Sequence, residues 1–501
     1  MDSLFFFLAE EGVNSNLMVG FATLFHIGAI LSVILHVLQK PREPRSALLW
    51  ILFVVLFPGL GLIAYILFGI NTIPNKQWAK MFSDIRFSKH QSSTQRLRSE
   101  EAQKVIQQAS FILNPDETAF PALNRLLAQL PKDRPLLDGN RIILLNPAEE
   151  ALERMFAEIA RARDHIHLTT YILADDSVGK RLMDLLRERA DAGIHVRVLY
   201  DAFGSAGPEF RGFFKKFKRV KNLSLVPFSQ SNIFKRQFQL NLRNHRKILI
   251  IDGAVAFTGG VNFHEVYLPK PGKPAVIDYH FEIRGPVVRE LQYTFMRDWF
   301  YMTDDPIDPC YPQPERAGEM PVRVSDSSPT QEGVTVALNL FVAAIQQARR
   351  EIRIITPYFV PSESLMLALC QAARRGVDIQ LLTPSDNNHP TIRFASHAHY
   401  RQLLEAGVRL FERRPPFIHT KAMVIDQRLS IIGSANLDPR SLSLNYETNL
   451  QVESAAFADT LRYAMEADFS EALEIQLSAW KLRPKGQILV ENFFNLFNPI
   501  A

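Results

Sequence analysis

Two histidines with lysines at matched spacing define the chemistry open to this chain. The pattern H-x-K-x4-D-x6-G-x-x-N occurs as NHRKILIID with His245, Lys247, Asp252, Gly259 and Asn262. It recurs as IHTKAMVID with His419, Lys421, Asp426, Gly433 and Asn436. Alternate side chains of an extended strand share a face, so each histidine projects together with its lysine. One such pair is ordinary polar surface, but five residue types repeated at identical spacing are poorly explained by packing alone.

These residue types suit displacement at the phosphorus of a phosphodiester. That reaction needs a nucleophile on one side of phosphorus and an acid on the other to protonate the departing alkoxide. Imidazole titrates near neutrality, so one ring can attack as the free base while a second donates as the imidazolium. A single histidine cannot do both at once. The lysines supply compact positive charge for the non-bridging oxygens, and the asparagines can add hydrogen bonds as charge develops there.

Such a pair needs two matched frames. Residues 164–201, DHIHLTTYILADDSVGKRLMDLLRERADAGIHVRVLYD, read as strand, helix, glycine, strand, and residues 353–386, RIITPYFVPSESLMLALCQAARRGVDIQLLTPSD, read the same way. Tyr171 aligns with Tyr358 and Gly193 with Gly376. Each unit leads to a second apolar strand and a polar turn, KILIIDGAVAFTGGVN and KAMVIDQRLSIIGSAN. The expectation is an α/β fold in which one lobe occurs twice, over 131–310 and 322–501, with the proline-containing acidic segment 303–321 as connector.

Upstream, 17–38 and 47–70 are apolar runs of 22 and 24 residues, each long enough to cross about 30 Å of hydrocarbon. They predict a transmembrane helical hairpin within 1–70; the runs are too long, and lack the basic leader, for a signal peptide. Lys40, Arg42 and Arg45 lie in the loop, and Lys76, Lys80, Arg86 and Lys89 follow the second run, so both faces are positive and the charge rule selects neither side for the rest of the chain. Residues 71–130 read as a linker or membrane-proximal segment, with 71 to about 108 a linker or a surface helix at the membrane face, because stretches such as SKHQSSTQRLRSEE follow neither hydrophobic period.

Composition is consistent with two packed units: 501 residues, 47% hydrophobic and 22% charged. A net charge of +5 without any run of five basic residues does not demand nucleic acid as a partner. Cys310 and Cys370 lack metal-ligand spacing and read as small buried hydrophobes.

The motifs together resemble the HKD phospholipase D superfamily, and within it the bacterial cardiolipin synthases, through NHRK, FTGGVN, TPYFVP, LLEAGV, HTKAMVID and GSANLDPRSLSLNYE. The segment from PRSALLW to FPGLGLIAYILFG is similar to the membrane segment of those synthases. The resemblance implies two lobes with mixed sheets flanked by helices, meeting face to face so that both motifs share one site. It implies a phosphatidyltransferase of the bacterial inner membrane that moves a phosphatidyl group from one phosphatidylglycerol to another and releases glycerol, with no metal or other cofactor. His245 is then the nucleophile and His419 the acid and later the base, although exchanged roles satisfy the same pattern. Asn262, Asn436 and Ser434 are expected at the phosphate, while Asp252 and Asp426 complete the motifs in a catalytic or a structural role.

Each histidine also needs a carboxylate behind its second nitrogen. Glu447 holds the family's position, 28 residues after His419, whereas the same offset from His245 falls on Lys273, so the insertion LPKPGKPAV makes Asp278 the better match in the first lobe. His165, His167, His264, His389, His397 and His399 read as pocket edge or surface, His280 is left open by its place beside Asp278, and His26 and His36 read as hydrogen-bonded within the first run. Hydrolysis by the same histidines is the rival activity, with the hairpin weighing against a nuclease. A tethered scaffold with a decayed site is disfavoured because both motifs are intact.

Because two lysines and two histidines provide the positive charge that a metal would otherwise bring, turnover is expected to survive EDTA. A strict requirement for an added divalent ion in the chemical step would contradict this.

Overall fold

The computed structural model describes residues 20, 23–39, 44–66, 79–90, 110–130, 134–228, 243–307, 315–328 and 331–496. It divides into Met1–Lys76 and Gln77–Ala501.

In the first unit, residues 23–38 form one helix, and the run expected as a single span over 47–70 is instead cut into helices Pro44–Leu56 and Pro58–Ala64. Pro58 has no amide proton for the preceding turn, and Phe57 leaves helical geometry at φ −130°, ψ 72°. Among the described residues no helix is long and apolar enough to cross a membrane. The helices pack through buried Val33, Val37, Val54 and Tyr65, and Nδ1 of His36 lies 2.7 Å from the Tyr65 hydroxyl. Leu24, Leu31, Leu35, Leu48, Leu52 and Leu60 are exposed on the outside.

The second unit is built on one mixed sheet. Its first half contains β1 (Leu137–Leu145), β2 (His165–Thr170), β3 (His195–Asp201), β4 (Leu223–Phe228), β5 (Ile248–Ile251), β6 (Val255–Gly259) and β7 (His280–Arg284). The second contains β8 (Met320–Ser327), β9 (Glu351–Ile355), β10 (Asp378–Pro384), β11 (Arg409–Arg413), β12 (Ala422–Ile425), β13 (Leu429–Gly433), β14 (Glu447–Glu453) and β15 (Ala472–Ile475). The strand order is 15-11-10-9-12-13-14-8-1-7-6-5-2-3-4. Reading outward from β1 or from β8 gives the same succession of elements, with β15 added at one end.

The halves meet edge to edge as well as through a core. β1 pairs with β8 through Leu137↔Val322 and Asn140↔Met320, which gives each half a partner for a strand that would otherwise be an open edge. An apolar cluster joins Ile248, Phe281 and Ile283 to Val324, Val424 and Leu450 beneath helices Val287–Thr303 and Ala455–Ser470. Separate clusters fill the outer face of each half under its crossover helices. The central strands are therefore covered on both sides, and β2, β5, β12, β13 and β14 are buried along their whole lengths.

This topology creates one functional edge. β2, β3 and β4 run parallel while β5 runs against β2, so the carboxyl ends of the first three and the amino end of β5 lie at the same border. His245 is three residues before β5. The parallel set β9, β10 and β11, with β12 opposed, carries His419 in the same way.

The segment read as a linker contains a helix, 79–90, with one buried face. Phe87 packs against Tyr293 and Phe300, and Nζ of Lys80 lies 3.0 Å from Asp84 and 3.1 Å from Asp298. Arg246, whose side chain is fully buried, pairs with Asp298, while Arg297 pairs with Asp326 at 3.3 Å. Burial alone would raise the Asp298 carboxyl, but Arg246, then Lys80 and Arg297, hold it down to about 2. Three cations and three carboxylates thus compensate one another away from water.

Removing one member leaves the buried network with one charge uncompensated. Lys80→Met is accordingly expected to lower the melting temperature by about 5 °C or more, and Asp298→Asn added to it to recover part of the loss. A thermal melt unchanged by Lys80→Met would remove helix 79–90 from the network.

Candidate active site

Each histidine is held by backbone from the opposite half. The His245 amide donates to the Tyr446 carbonyl at 2.9 Å, and the Tyr446 amide returns a bond to Arg243 at 2.9 Å. In the mirrored place, the His419 amide donates to Ile277 at 2.7 Å, and the Ile277 amide to Phe417 at 3.0 Å. These bridges put Glu447 beside His245 and Asp278 beside His419. Nδ1 of His245 lies 3.0 Å from the Glu447 carboxylate, and Nδ1 of His419 lies 2.7 Å from Asp278 Oδ2. The offset argument paired Asp278 and Glu447 with the histidines of their own halves; the structure crosses them.

Both Nδ1 atoms face acceptors, so both carry the proton and both Nε2 atoms are left for chemistry. For His245 the second neighbour is the Ser434 carbonyl at 3.2 Å. For His419 it is Nζ of Lys421 at 2.9 Å, and a single nitrogen cannot accept from the ammonium while donating to Asp278. The shorter contact to the carboxylate assigns its proton, since the carboxylate also stabilises the imidazolium formed in turnover.

The carboxylates are themselves fixed. Ser434 Oγ donates to Glu447 at 2.5 Å and Asn445 Nδ2 donates at 3.2 Å. Gly260 occupies the place of Ser434 in the first half, where an added Cβ would stand 2.0 Å from Asp278 Oδ1. The shorter aspartate side chain fills the space that a serine occupies opposite Glu447.

Burial controls the electrostatics. It pushes both imidazoles down, His419 to about 4, against the pull of their carboxylates. The ammonium of Lys247 is brought down to about 7 and that of Lys421 to about 8, again by burial first. Lys247 also disfavours the charged form of His419, and Lys421 that of His245, so the two motifs share one electrostatic site. Lys247 Nζ donates to the His245 carbonyl at 2.7 Å, and Lys421 Nζ to that of His419.

Other expected site residues take different places. Asp252 accepts the amides of Arg163, Asp164 and His165, and Asp426 those of Arg349, Arg350 and Glu351. They are turn anchors with φ of 53° and 51° at the far ends of β5 and β12, because four strand residues carry each away from its lysine. Asn262 accepts the Ile172 amide at 3.1 Å, Asn436 donates to Ser441 at 3.2 Å, and Ser434 is engaged with Glu447, so all three hold the frame around the site.

Several neighbours had no assigned role in the sequence. Tyr171 stands with its ring centre 4.9 Å from that of His245, and Tyr358 stands 6.2 Å from His419. Their alignment within the repeat was the available signal. Arg246, between His245 and Lys247, points to the other side of its strand and binds the Glu447 carbonyl at 3.3 Å and Thr448 at 3.1 Å.

The remaining histidines are largely structural. His165 and His167 are buried, not superficial, and His167 stacks on Phe295. His264 accepts the Val266 amide, His280 is buried at the start of β7, and His389 packs beside Tyr358. His397 pairs with Glu412 at 2.7 Å, and His399 meets Asn495. Cys370 is buried as expected, and Cys310 lies outside the described residues.

Comparison with known proteins follows the same frame. Residues 155–299 and 341–469 match the family described as cardiolipin synthase, PLD-like domain, and 26–69 match phospholipase D-nuclease N-terminal. A cardiolipin synthase of Geobacillus thermodenitrificans is 33% identical over 479 residues, covering 92% of this chain and 89% of that one. Cardiolipin synthase A of Pseudomonas aeruginosa is 34% identical over 463 residues, covering 91% and 90%. The crystal structure of a Haemophilus influenzae phosphatidylserine synthase has the same fold, with a TM-score of 0.58 at 14% identity over 76% of this chain and 99% of that one.

The pH dependence of kcat/KM is expected to be bell-shaped. On the acid side it falls as His245 gains a proton, and on the alkaline side it falls first as His419, at about 4 in the free chain, loses the proton it donates and then, above about 7 to 8, as Lys247 and Lys421 lose theirs. Glu447 favours the protonated form of both His245 and Lys247, so Glu447→Gln should move both limbs to lower pH and reduce turnover about 100-fold. Limbs that stay in place in this variant would separate Glu447 from both groups.

Proposed function

The chain belongs to the cardiolipin synthase family of phospholipase D-like proteins, and on that premise we propose that His245 and His419 pass a phosphatidyl group between two phosphatidylglycerol molecules through a phosphohistidine. The observation that carries this reading is the pair of imidazoles, each fixed through Nδ1 and each presenting Nε2. In the first half-reaction Nε2 of His245 bonds to the donor's phosphorus, the bond from phosphorus to the glycerol oxygen breaks, and His419 gives that oxygen its proton. In the second, His419 takes the proton of the incoming hydroxyl, that oxygen bonds to phosphorus, and the phosphorus–nitrogen bond breaks.

Lys247 and Lys421 offset the charge that gathers on the non-bridging oxygens. A bound phosphodiester also opposes the effect of burial on all four groups, raising His419 toward the range in which it can carry a proton. The substrate is a membrane lipid. The apolar segments within 1–70 suit a chain held in the bacterial inner membrane by two crossings, a reading supported by the leucines on the outside of the helical hairpin.

A single turnover on phosphate-labelled phosphatidylglycerol, quenched when the acceptor step is slow, is expected to leave label on the protein in an acid-labile, alkali-stable bond. His245→Ala should abolish it. Label that persists there but vanishes in His419→Ala would exchange the roles, and no label under any condition would favour direct transfer between two bound lipids.

A further inference from the structure

We propose that Arg243, assisted by Arg440 of the other half, forms a second phosphate subsite that holds the acceptor lipid's own phosphodiester while its hydroxyl meets the phosphohistidine. The inference rests on the transferase reading above and assigns its acceptor side.

Arg243 lies two residues before His245, with its carbonyl tied to the Tyr446 amide. Its guanidinium carbon sits 3.7 Å from the centre of the Phe203 ring, and one terminal nitrogen donates to the Tyr171 hydroxyl at 3.2 Å. No carboxylate pairs with it among the described residues, and its Nε is buried without a hydrogen-bond partner among them. A guanidinium has five N–H donors in a planar fork suited to phosphate, and this one is held by an aromatic face and a neutral hydroxyl with donors left over. Tyr171, which receives its bond, is the residue packed on the nucleophile. The cation is therefore one side chain away from the His245 ring.

Arg440 approaches from the other half, four residues after Asn436, where its carbonyl accepts the Leu444 and Asn445 amides. Burial and then the like charge of Arg243 disfavour its charged form, which places the two guanidiniums within electrostatic reach. Asp201, whose charge acts on Arg243, is held by the amides of Phe203, Gly204 and Asn244 and not by the guanidinium, and Asp438, whose charge acts on Arg440, accepts the Ser441 amide. A guanidinium with unused donors and no paired carboxylate, as Arg243 is, favours a bound anion.

The reaction supplies such an anion. Lys247 and Lys421 serve the phosphate under attack, but the acceptor phosphatidylglycerol brings a second phosphate one glycerol bridge away. Without a cation there, the two phosphates repel as the new oxygen–phosphorus bond forms and the bond to His245 breaks. Water or free glycerol brings no second charge. Arg243 and Arg440 thereby distinguish a lipid acceptor from a neutral one.

The test measures how one intermediate partitions. The full chain in mixed detergent micelles of phosphatidylglycerol is given labelled glycerol, and cardiolipin formed is compared with label incorporated into phosphatidylglycerol. Both products come from the same phosphatidyl-enzyme, so the ratio does not depend on the fraction of protein that is folded. Arg243→Gln is expected to lower the ratio of cardiolipin to glycerol exchange at least tenfold, and Arg440→Gln to lower it in the same direction. An unchanged ratio in Arg243→Gln, whatever happens to total turnover, overturns the subsite. Absence of glycerol exchange in the unaltered protein would instead overturn the phosphohistidine reading beneath it.

Discussion

The hydrogen bonds from each histidine to the other half's carboxylate are the constraint on which the rest depends. His245 and Glu447, like His419 and Asp278, come from different halves, so neither half contains a complete catalytic group. The β1–β8 pairing, the shared apolar cluster and the backbone bridges at Tyr446 and Ile277 all fix the relative position of the halves. A displacement of about 1 Å across that boundary would leave an imidazole without its partner and a carboxylate buried alone, which is costly on both counts. The size of the common core follows from that tolerance.

On the proposed reading, near-symmetry has to produce unlike roles. The two halves offer the same strand order and the same histidine-lysine spacing, yet Gly260 faces a short carboxylate where Ser434 faces a longer one. Asp278 reaches His419 at 2.7 Å without a hydroxyl in that position, whereas Glu447 is steadied by Ser434 and Asn445. Lys421 approaches the Nδ1 of its histidine, while Lys247 meets its own at the backbone. Small differences in packing around two equal rings are sufficient to give them different proton affinities.

Much of this was legible because it is local. The duplicated H-x-K spacing, the strand-helix-strand repeat and the alignment of Tyr171 with Tyr358 are properties of short segments with clear periods. The crossed carboxylates were not, since an offset counted along one half specifies a position on a strand but not which half it faces. The motif aspartates were left between a catalytic and a structural role for a related reason: equal spacing marks a duplicated part without saying whether that part touches substrate, and Asp252 and Asp426 hold turns. Polar composition allowed a surface helix here but concealed the buried face of helix 79–90, whose Lys80 is buried only because Asp84 and Asp298 meet it there. Pro58 was visible, but an apolar run of 24 residues outweighed it in the reading of length.

The compensated charges around Asp298 have a consequence for ionic strength. At physiological salt, exposed charges more than about 8 Å apart are screened from one another. The joint between helix 79–90 and Val287–Thr303 has almost no contact with solvent, so mobile ions have no access to Lys80, Arg246 or their partners. Salt that screens the chain's exposed charges therefore leaves the attachment of this helix to the catalytic body as it was.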